Sequence, residues 1–261
     1  MNVFVYEMRQ NRKSTIVWAV TMAAAVFLML SASSVYVEGM KTLTLPEAVS
    51  EAFGINAASF GSALGFYSFL FLYLSLTAAI QAMNLGLGII SKETRMKTAD
   101  FLLSKPKSRA GIFLQKLLSA FCSLVITEIV LFLAAGVSLL IQTNGSFEFA
   151  PFMLMNLTYF LMQMLFLSLG LLIAALTQKI KSPITVTMGV CFGTFLVGMV
   201  SAITGSDALR YLAPTKYFDN FYIISHNAFE TKFLVLTIVL TVIFAAAAFV
   251  VYLKKDIKAV T

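Results

Sequence analysis

Charge is what this sequence has least of. Aspartate, glutamate, lysine and arginine make up 12% of its 261 residues, about half the roughly 25% usual for a soluble domain. So little charge cannot cover a water-facing surface, and with 59% hydrophobic residues the solvent for most of the chain is lipid. Cysteine is almost missing: Cys122 and Cys191 both lie inside apolar runs, where they read as small packing residues rather than a disulfide. The single histidine, His226, has no local carboxylate or thiol companion and reads as a surface residue, so no metal-ligand set is expected. Met153, Met155, Met162 and Met164 fall two apart in pairs, on different helix faces, and read as packing rather than a copper path. No Gly-Lys dipeptide occurs, which excludes a phosphate loop and with it ATP hydrolysis by this chain alone. No Ser/His or paired-aspartate constellation lies at membrane depth, which argues against an intramembrane hydrolase.

What is present is six apolar runs, near 14–37, 64–90, 117–141, 151–176, 184–204 and 232–253. Each has the ~20 residues a helix needs to cross a bilayer, and none alternates as a barrel strand would. The expected fold is all-α: a polytopic integral membrane protein forming one transmembrane domain over residues 1–261. The first run exceeds the h-region of a signal peptide and reads as an uncleaved span. Residues 2–12 mix apolar and charged positions and are expected to lie along the inner membrane surface before it.

The formal charge of +7 is spread in short segments between the apolar runs, not gathered on one polar face, which excludes a nucleic-acid partner. With the N-terminus inside, 15 of the 19 basic residues fall on the cytosolic side, leaving Lys41, Arg210, Lys216 and Lys232 outside. Both termini are therefore expected in the cytosol, the chain being a multi-pass protein of a bacterial plasma membrane. Outside, residues 43–53 and the Tyr- and Phe-rich stretch 206–230 are expected to form short helices at or in the outer leaflet.

Between spans two and three runs "SKETRMKTADFLLSKPKSRAGIFLQKLL", residues 91–118. Ser91 is placed to cap an amphipathic helix, with Glu93 in its first turn and Met96, Ala99, Leu102 and Leu103 on one side. Pro106 ends it, and Ser108 caps the helix that continues through Lys116 into span three. The segment 91–116 is thus a helix–elbow–helix on the inner face.

This run resembles the cytosolic signature of permease subunits of type-2 ATP-binding-cassette (ABC) exporters. Glu93, Thr98, Asp100, Leu102, Leu103, Ser104, Pro106, Ser108, Arg109 and Lys116 match it, with Asp100 for the usual glutamate and Lys97 where glycine is common. "LRYLAPTKYFD", residues 209–219, is similar to the segment before the last span in that family. The resemblance implies a half-transporter: two permease subunits, identical or similar, form the pathway, and two cytosolic ABC ATPase subunits drive it. ATP and magnesium would be bound by that partner, and no cofactor by this chain. The elbow would be the ATPase dock, with Glu93, Arg95, Asp100 and Arg109 as polar contacts and Thr98, Phe101, Leu102 and Pro106 shaping the surface.

Two further features stand apart from the elbow. Glu128 is the one acid well inside a span, a functional candidate by default, or else a protonated or hydrogen-bonded link to Asn84, Gln163 or Asn156. Gly61–Gly65 and Gly189–Gly193 are small-xxx-small patterns that suit packing within one subunit or, at Gly189 and Gly193, a subunit interface. The expected function is export of an amphipathic or hydrophobic substrate, such as a peptide antibiotic, a drug or a lipid-linked molecule. The alternatives are sodium extrusion and a non-transporting scaffold or sensor that docks a cytosolic partner.

Overall fold

The structure is a computed structural model that describes residues 2–33, 36, 53, 62–96, 108–177 and 179–254, with the side chains of Glu93, Thr94 and Met96 left aside. Its helices are α1 (Val3–Ser31), α2 (Ala63–Met96), α3 (Arg109–Gln142), α4 (Phe149–Leu176), α5 (Pro183–Thr204), α6 (Asp207–Tyr211), α7 (Asn220–His226) and α8 (Thr231–Lys254). A 3-10 turn, Pro214–Lys216, stands between α6 and α7. Six of these, α1 to α5 and α8, are long and apolar enough to cross a membrane, as expected. The expected elements around 43–53 and 97–107 lie outside the described residues. The stretch 206–230 does fold as short helices, with Asp219 Oδ1 accepting from the Phe221 and Tyr222 amides at the start of α7.

Two boundaries differ from the expectation. Residues 2–12 do not form a separate surface segment: Asn2 caps α1, which then runs unbroken for 29 residues, ~43 Å. The cause is long-range, because Gln115 Oε1 of α3 accepts from the Val3 and Phe4 amides at 3.1 and 3.4 Å and holds the first turn upright. Nor does Ser91 cap a new helix; α2 continues through it to Met96, and Ser91 Oγ donates back to the Leu87 carbonyl at 2.7 Å. Ser108 behaves as expected, accepting from the Gly111 amide at 3.1 Å, and Pro183 starts α5 where its missing N–H has no cost.

The first residues of α1, the end of α2, the start of α3 and the end of α8 share one face of the bundle, here the amino-terminal face. Ion pairs from Glu7 to Lys92 and Lys116, and the Arg109 Nη1 bond to the Leu253 carbonyl at 3.3 Å, join them. The opposite face is closed by an aromatic cluster of Phe66, Tyr67, Phe71, Phe152 and Tyr159. α2 and α4 are the inner pair, and α1 leans mainly on α3. In lipid there is no hydrophobic drive to bring helices together, so close contact depends on small residues and van der Waals packing. Gly86 and Gly170 supply it: a Cβ on Gly86 would sit 2.6 Å from the Leu167 carbonyl oxygen, and one on Gly170 2.6 Å from that of Met83.

Because both obstructing atoms are backbone, neither helix can yield locally. Gly86→Ala or Gly170→Ala is expected to cost about 1–3 kcal/mol, read as a lower melting temperature of the purified protein in detergent. Gly88→Ala meets nothing within 4 Å among the described residues and should be neutral or slightly stabilising. Equal effects at Gly86, Gly88 and Gly170 would refute the tight α2–α4 contact.

Candidate functional site

The amino-terminal face carries a buried charge cluster. Glu7, only 1% exposed, pairs with Lys92 and, at 3.2 Å, with Lys116, whose side chain is fully buried. Lys116 Nζ also donates to the Ile89 carbonyl at 2.7 Å, and Lys92 Nζ to Gln10 Oε1 at 2.7 Å. Charges this deep persist only when paired and hydrogen-bonded; removing one partner of such a cluster costs about 3–5 kcal/mol. The cluster therefore locks α1, α2 and α3 together at the base of the elbow.

Of the residues proposed to meet an ATPase, Arg95 is exposed on the last turn of α2. Arg109 stands half-buried in the first turn of α3 and reaches Leu253 of α8. Thr98, Asp100, Phe101, Leu102 and Pro106 lie outside the described residues, as does the side chain of Glu93. Lys116, the last position of the motif, points into the bundle instead of outward. Sequence reasoning missed its acidic partner, because nothing local to Glu7 reveals a contact 109 residues away; the one signal was an acid in an otherwise apolar and basic N-terminal stretch.

Midway through the bundle, a polar chain crosses three helices. Gln163 Nε2 of α4 donates to Gln81 Oε1 of α2 at 3.2 Å, and Gln81 Nε2 donates to Thr127 Oγ1 of α3 at 3.1 Å. About two turns of α4 nearer the opposite face, the Tyr67 hydroxyl donates to Asn156 Oδ1 at 3.2 Å. Glu128 follows Thr127 on α3, at the depth of this layer. Its Oε2 is buried with no hydrogen-bond partner among the described residues. The partners expected for Glu128 are engaged elsewhere. Gln163 is held by Gln81; Asn156 bonds Tyr67 and the Phe152 carbonyl, and Asn84 lines a cavity toward the amino-terminal face. Gln81, Thr127, Tyr67 and Tyr159 were not singled out, although each is a polar residue inside an apolar run.

Two cavities flank this layer, both lined in part by α2. One, of about 170 Å³, opens between α1 and α2 near the amino-terminal face. The other, of about 420 Å³, lies under α6, the 3-10 turn and α7 at the opposite face. Its roof is fastened by Arg210, which binds Glu230 through Nη1 at 3.2 Å and Nη2 at 2.5 Å. Arg210 Nε also donates to the Lys216 carbonyl at 2.9 Å, and the guanidinium stacks 4.0 Å from the Phe233 ring centroid. His226 is exposed and stacks on Tyr222, so it lies on the surface as expected.

Gly189 and Gly193 face away from the bundle: a Cβ on either meets nothing within 4 Å among the described residues. Packing within one subunit, expected as one use of this pair, is not what they do. Phe192 and Leu196 are exposed beside them, on an apolar face of α5 that the described residues do not cover.

The polar layer gives a sharp contrast between neighbours. Gln81→Leu strands the Gln163 amide, while Thr127 Oγ1 keeps its own bond to the Leu124 carbonyl at 2.8 Å, and should cost about 1–3 kcal/mol. Glu128→Gln removes a carboxylate whose Oε2 has no hydrogen-bond partner and should leave the melting temperature unchanged or raise it. A Glu128→Gln loss as large as that of Gln81→Leu would show that Glu128 belongs to the structural network.

No curated protein matches this chain. Over residues 1–257, however, the sequence matches the family model described as ABC-2 family transporter protein. Six apolar spanning helices and a match over nearly the whole length leave one conclusion: the chain belongs to the ABC-2 family of transporter proteins and is a multi-pass membrane permease component of that family.

Proposed function

We propose that this permease is the export half-subunit of an ATP-driven system, carrying an amphipathic or hydrophobic substrate outward. The family implies an ABC ATPase as partner in general. The finer reading is that the segment 93–109 docks that ATPase, with Glu93, Arg95, Thr98, Asp100, Phe101, Leu102, Pro106 and Arg109 at the contact. ATP and magnesium would belong to the partner. One observation carries this reading: the elbow's two flanking helices are locked by Glu7, Lys92 and Lys116, and Arg109 ties the same base to α8. A push on the elbow is then delivered to four spans at once, as a two-state rigid-body mechanism requires. The basic bias of the connecting segments supports a cytosolic amino-terminal face.

The uncovered apolar face at Gly189 and Gly193 supports a second copy, or a similar subunit, packing along α5. A competing reading, extrusion of a cation such as sodium, draws on Glu128 Oε2, a buried oxygen without a partner. Against a scaffold with no transport role, the discriminating readout is substrate-stimulated ATP turnover.

Asp100→Lys and Glu93→Lys should each abolish co-purification of the ABC ATPase and its stimulated turnover while the permease stays folded; unchanged values for both would sink the docking claim. Gly189→Leu with Gly193→Leu should shift the detergent-solubilised permease from dimer to monomer by light scattering, without lowering its melting temperature. A dimer that survives both substitutions would move the interface elsewhere. Glu128→Gln should spare export of an amphipathic substrate but stop sodium efflux from proteoliposomes if cation extrusion is the activity.

A further inference from the structure

Lys116 closes the motif that opens at Glu93, yet its side chain is fully buried, out of reach of a docked partner. What it meets is Glu7, whose carboxylate is divided between two helices. Oε2 pairs with Lys92 near the end of α2, and Oε1 with Lys116 Nζ near the start of α3 at 3.2 Å. Lys116 Nζ also donates to the Ile89 carbonyl of α2 at 2.7 Å, and Lys92 Nζ to Gln10 Oε1 of α1 at 2.7 Å. The tip of α1 is itself fastened to α3, where Gln115 Oε1 accepts from the Val3 and Phe4 amides. The two helix ends that carry the elbow, its stems, are thus referred to each other and to α1 through one side chain.

Apolar packing alone would hold these three helices together without fixing how far along its axis each one sits. Displacing α2 by one residue moves its surface ~1.5 Å along the axis and ~100° around it. A leucine contact survives part of such a slip. A bond from a buried ammonium to one particular carbonyl does not, and setting register is the best-attested use of buried ionic groups. The elbow begins close by on both sides. Arg95 follows Lys92 by just under one turn and is exposed. Arg109 precedes Lys116 by about two turns on the same side of α3, where it bonds the Leu253 carbonyl. A contact surface carried on two helix ends works only if those ends are held to within about 0.5 Å and 10–20°. We propose that Glu7 is a positioning residue of the elbow. It sets the axial register of the end of α2 against the start of α3, and so makes the first two turns of α1 part of the coupling apparatus without touching the ATPase. That this register serves an ATPase rests on the docking reading of residues 93–109; the register itself does not, and it is measured without a partner.

The test uses the full-length permease in neutral detergent, comparing thermal melting with hydrogen–deuterium exchange at the backbone amides of residues 93–96 and 112–116. Glu7→Leu leaves both ammoniums without their carboxylate and should melt early, which a merely structural role also explains. The deciding variant replaces all three charges: Glu7→Leu with Lys92→Met and Lys116→Met. Its melting temperature should return to the wild-type value while exchange at both stems stays about tenfold faster, because apolar replacement restores cohesion but not register. Wild-type exchange at both stems of this variant would overturn the proposal. If the triple variant does not fold, Lys92→Gln decides alone, since it alters a side chain at the edge of the cluster and leaves Glu7 paired with Lys116. Exchange should then rise about tenfold at 93–96, the loss of one charge-assisted bond, and stay unchanged at 112–116. Equal rises at both stems, or none at either, would refute the division of Glu7 between them. With the ABC ATPase bound, the triple variant should lose stimulated turnover about tenfold, since a contact surface out of register couples poorly. Full turnover despite loosened stems would overturn the positioning role. An ATPase that co-purifies with neither wild type nor variant would instead refute the dock and leave the exchange result to decide the register.

Discussion

The arrangement of this bundle depends on one buried carboxylate. Glu7 enters from the first turns of α1 and meets two lysines, one at the end of α2 and one at the start of α3. Taking three charged groups out of water is expensive, and their mutual attraction offsets the cost only if the geometry is good and the remaining donors are bonded. Here they are: Lys116 also finds the Ile89 carbonyl, and Lys92 finds Gln10. Replacing the cluster with apolar side chains could leave the bundle just as stable, but would lose its register. A hydrophobic contact tolerates sliding, whereas an ammonium bonded to both a carboxylate and a backbone carbonyl does not. That register is set where α2 ends and α3 begins, so the two spans are tied to each other and to α1 at the amino-terminal face.

Behind this lock the bundle divides into an inner pair and an outer set. α2 and α4 approach through Gly86 and Gly170 until backbone meets backbone. They are then bridged at mid-depth by Gln81 and Gln163, and farther on by Tyr67 and Asn156. Both kinds of contact are strong in hydrocarbon for the same reason: neither has a competing solvent. α5 and α8 are far less covered, with exposed apolar side chains along much of their length. A rigid inner pair with lightly held outer helices is what a two-state transporter requires, because bistability comes from units that shift against one another without deforming.

The parts of this structure legible in the sequence were those set by local chemistry. Run length predicted the six spans, Ser108 predicted a cap and Pro183 stands at a helix start. Parts that depend on distant partners were not legible. Ser91 had the composition of an N-cap, yet α2 passes through it because Lys92, the next residue, is anchored by Glu7, 85 residues away. The N-terminal residues had the mixed pattern of a surface helix, yet Gln115 and the ion pairs stand them on end. Glycine spacing was equally silent about partners. The Gly189–Gly193 pattern faces out, whereas the contact that matters uses Gly86 and Gly170, one on each helix and neither part of a small-xxx-small pair noted in the sequence. A spacing rule identifies a smooth helix face, but says nothing about which helix will occupy it. Glu128 was legible as an anomaly, whereas its lack of a hydrogen-bond partner could be learned only from the packing.

One helix connects these levels. α2 carries Lys92 in the charge lock, Gln81 in the polar layer, Gly86 at the closest backbone contact, and Ser68 and Ser75 in the wall of the far cavity. At that far end Ser68 still has an engaged carbonyl, accepting from Asn220 Nδ2 at 3.1 Å, so α2 is tied to the roof that Arg210 and Glu230 fasten. The charge lock is therefore joined to the opposite face by one unbroken helix, which the Gly86 contact holds between its ends. The helix arrives at the roof of a cavity where Thr215 Oγ1 and Asn220 Oδ1 are buried without partners among the described residues. The roof is held there by the Arg210–Glu230 pair, by the Arg210 bonds to the Lys216 and Tyr217 carbonyls, and by the Asn220 bond to Ser68. The two faces are thus tied to one continuous helix, at one end by the Glu7 pair with Lys92 and at the other by Asn220, so that neither end of α2 can shift without breaking a bond to another element.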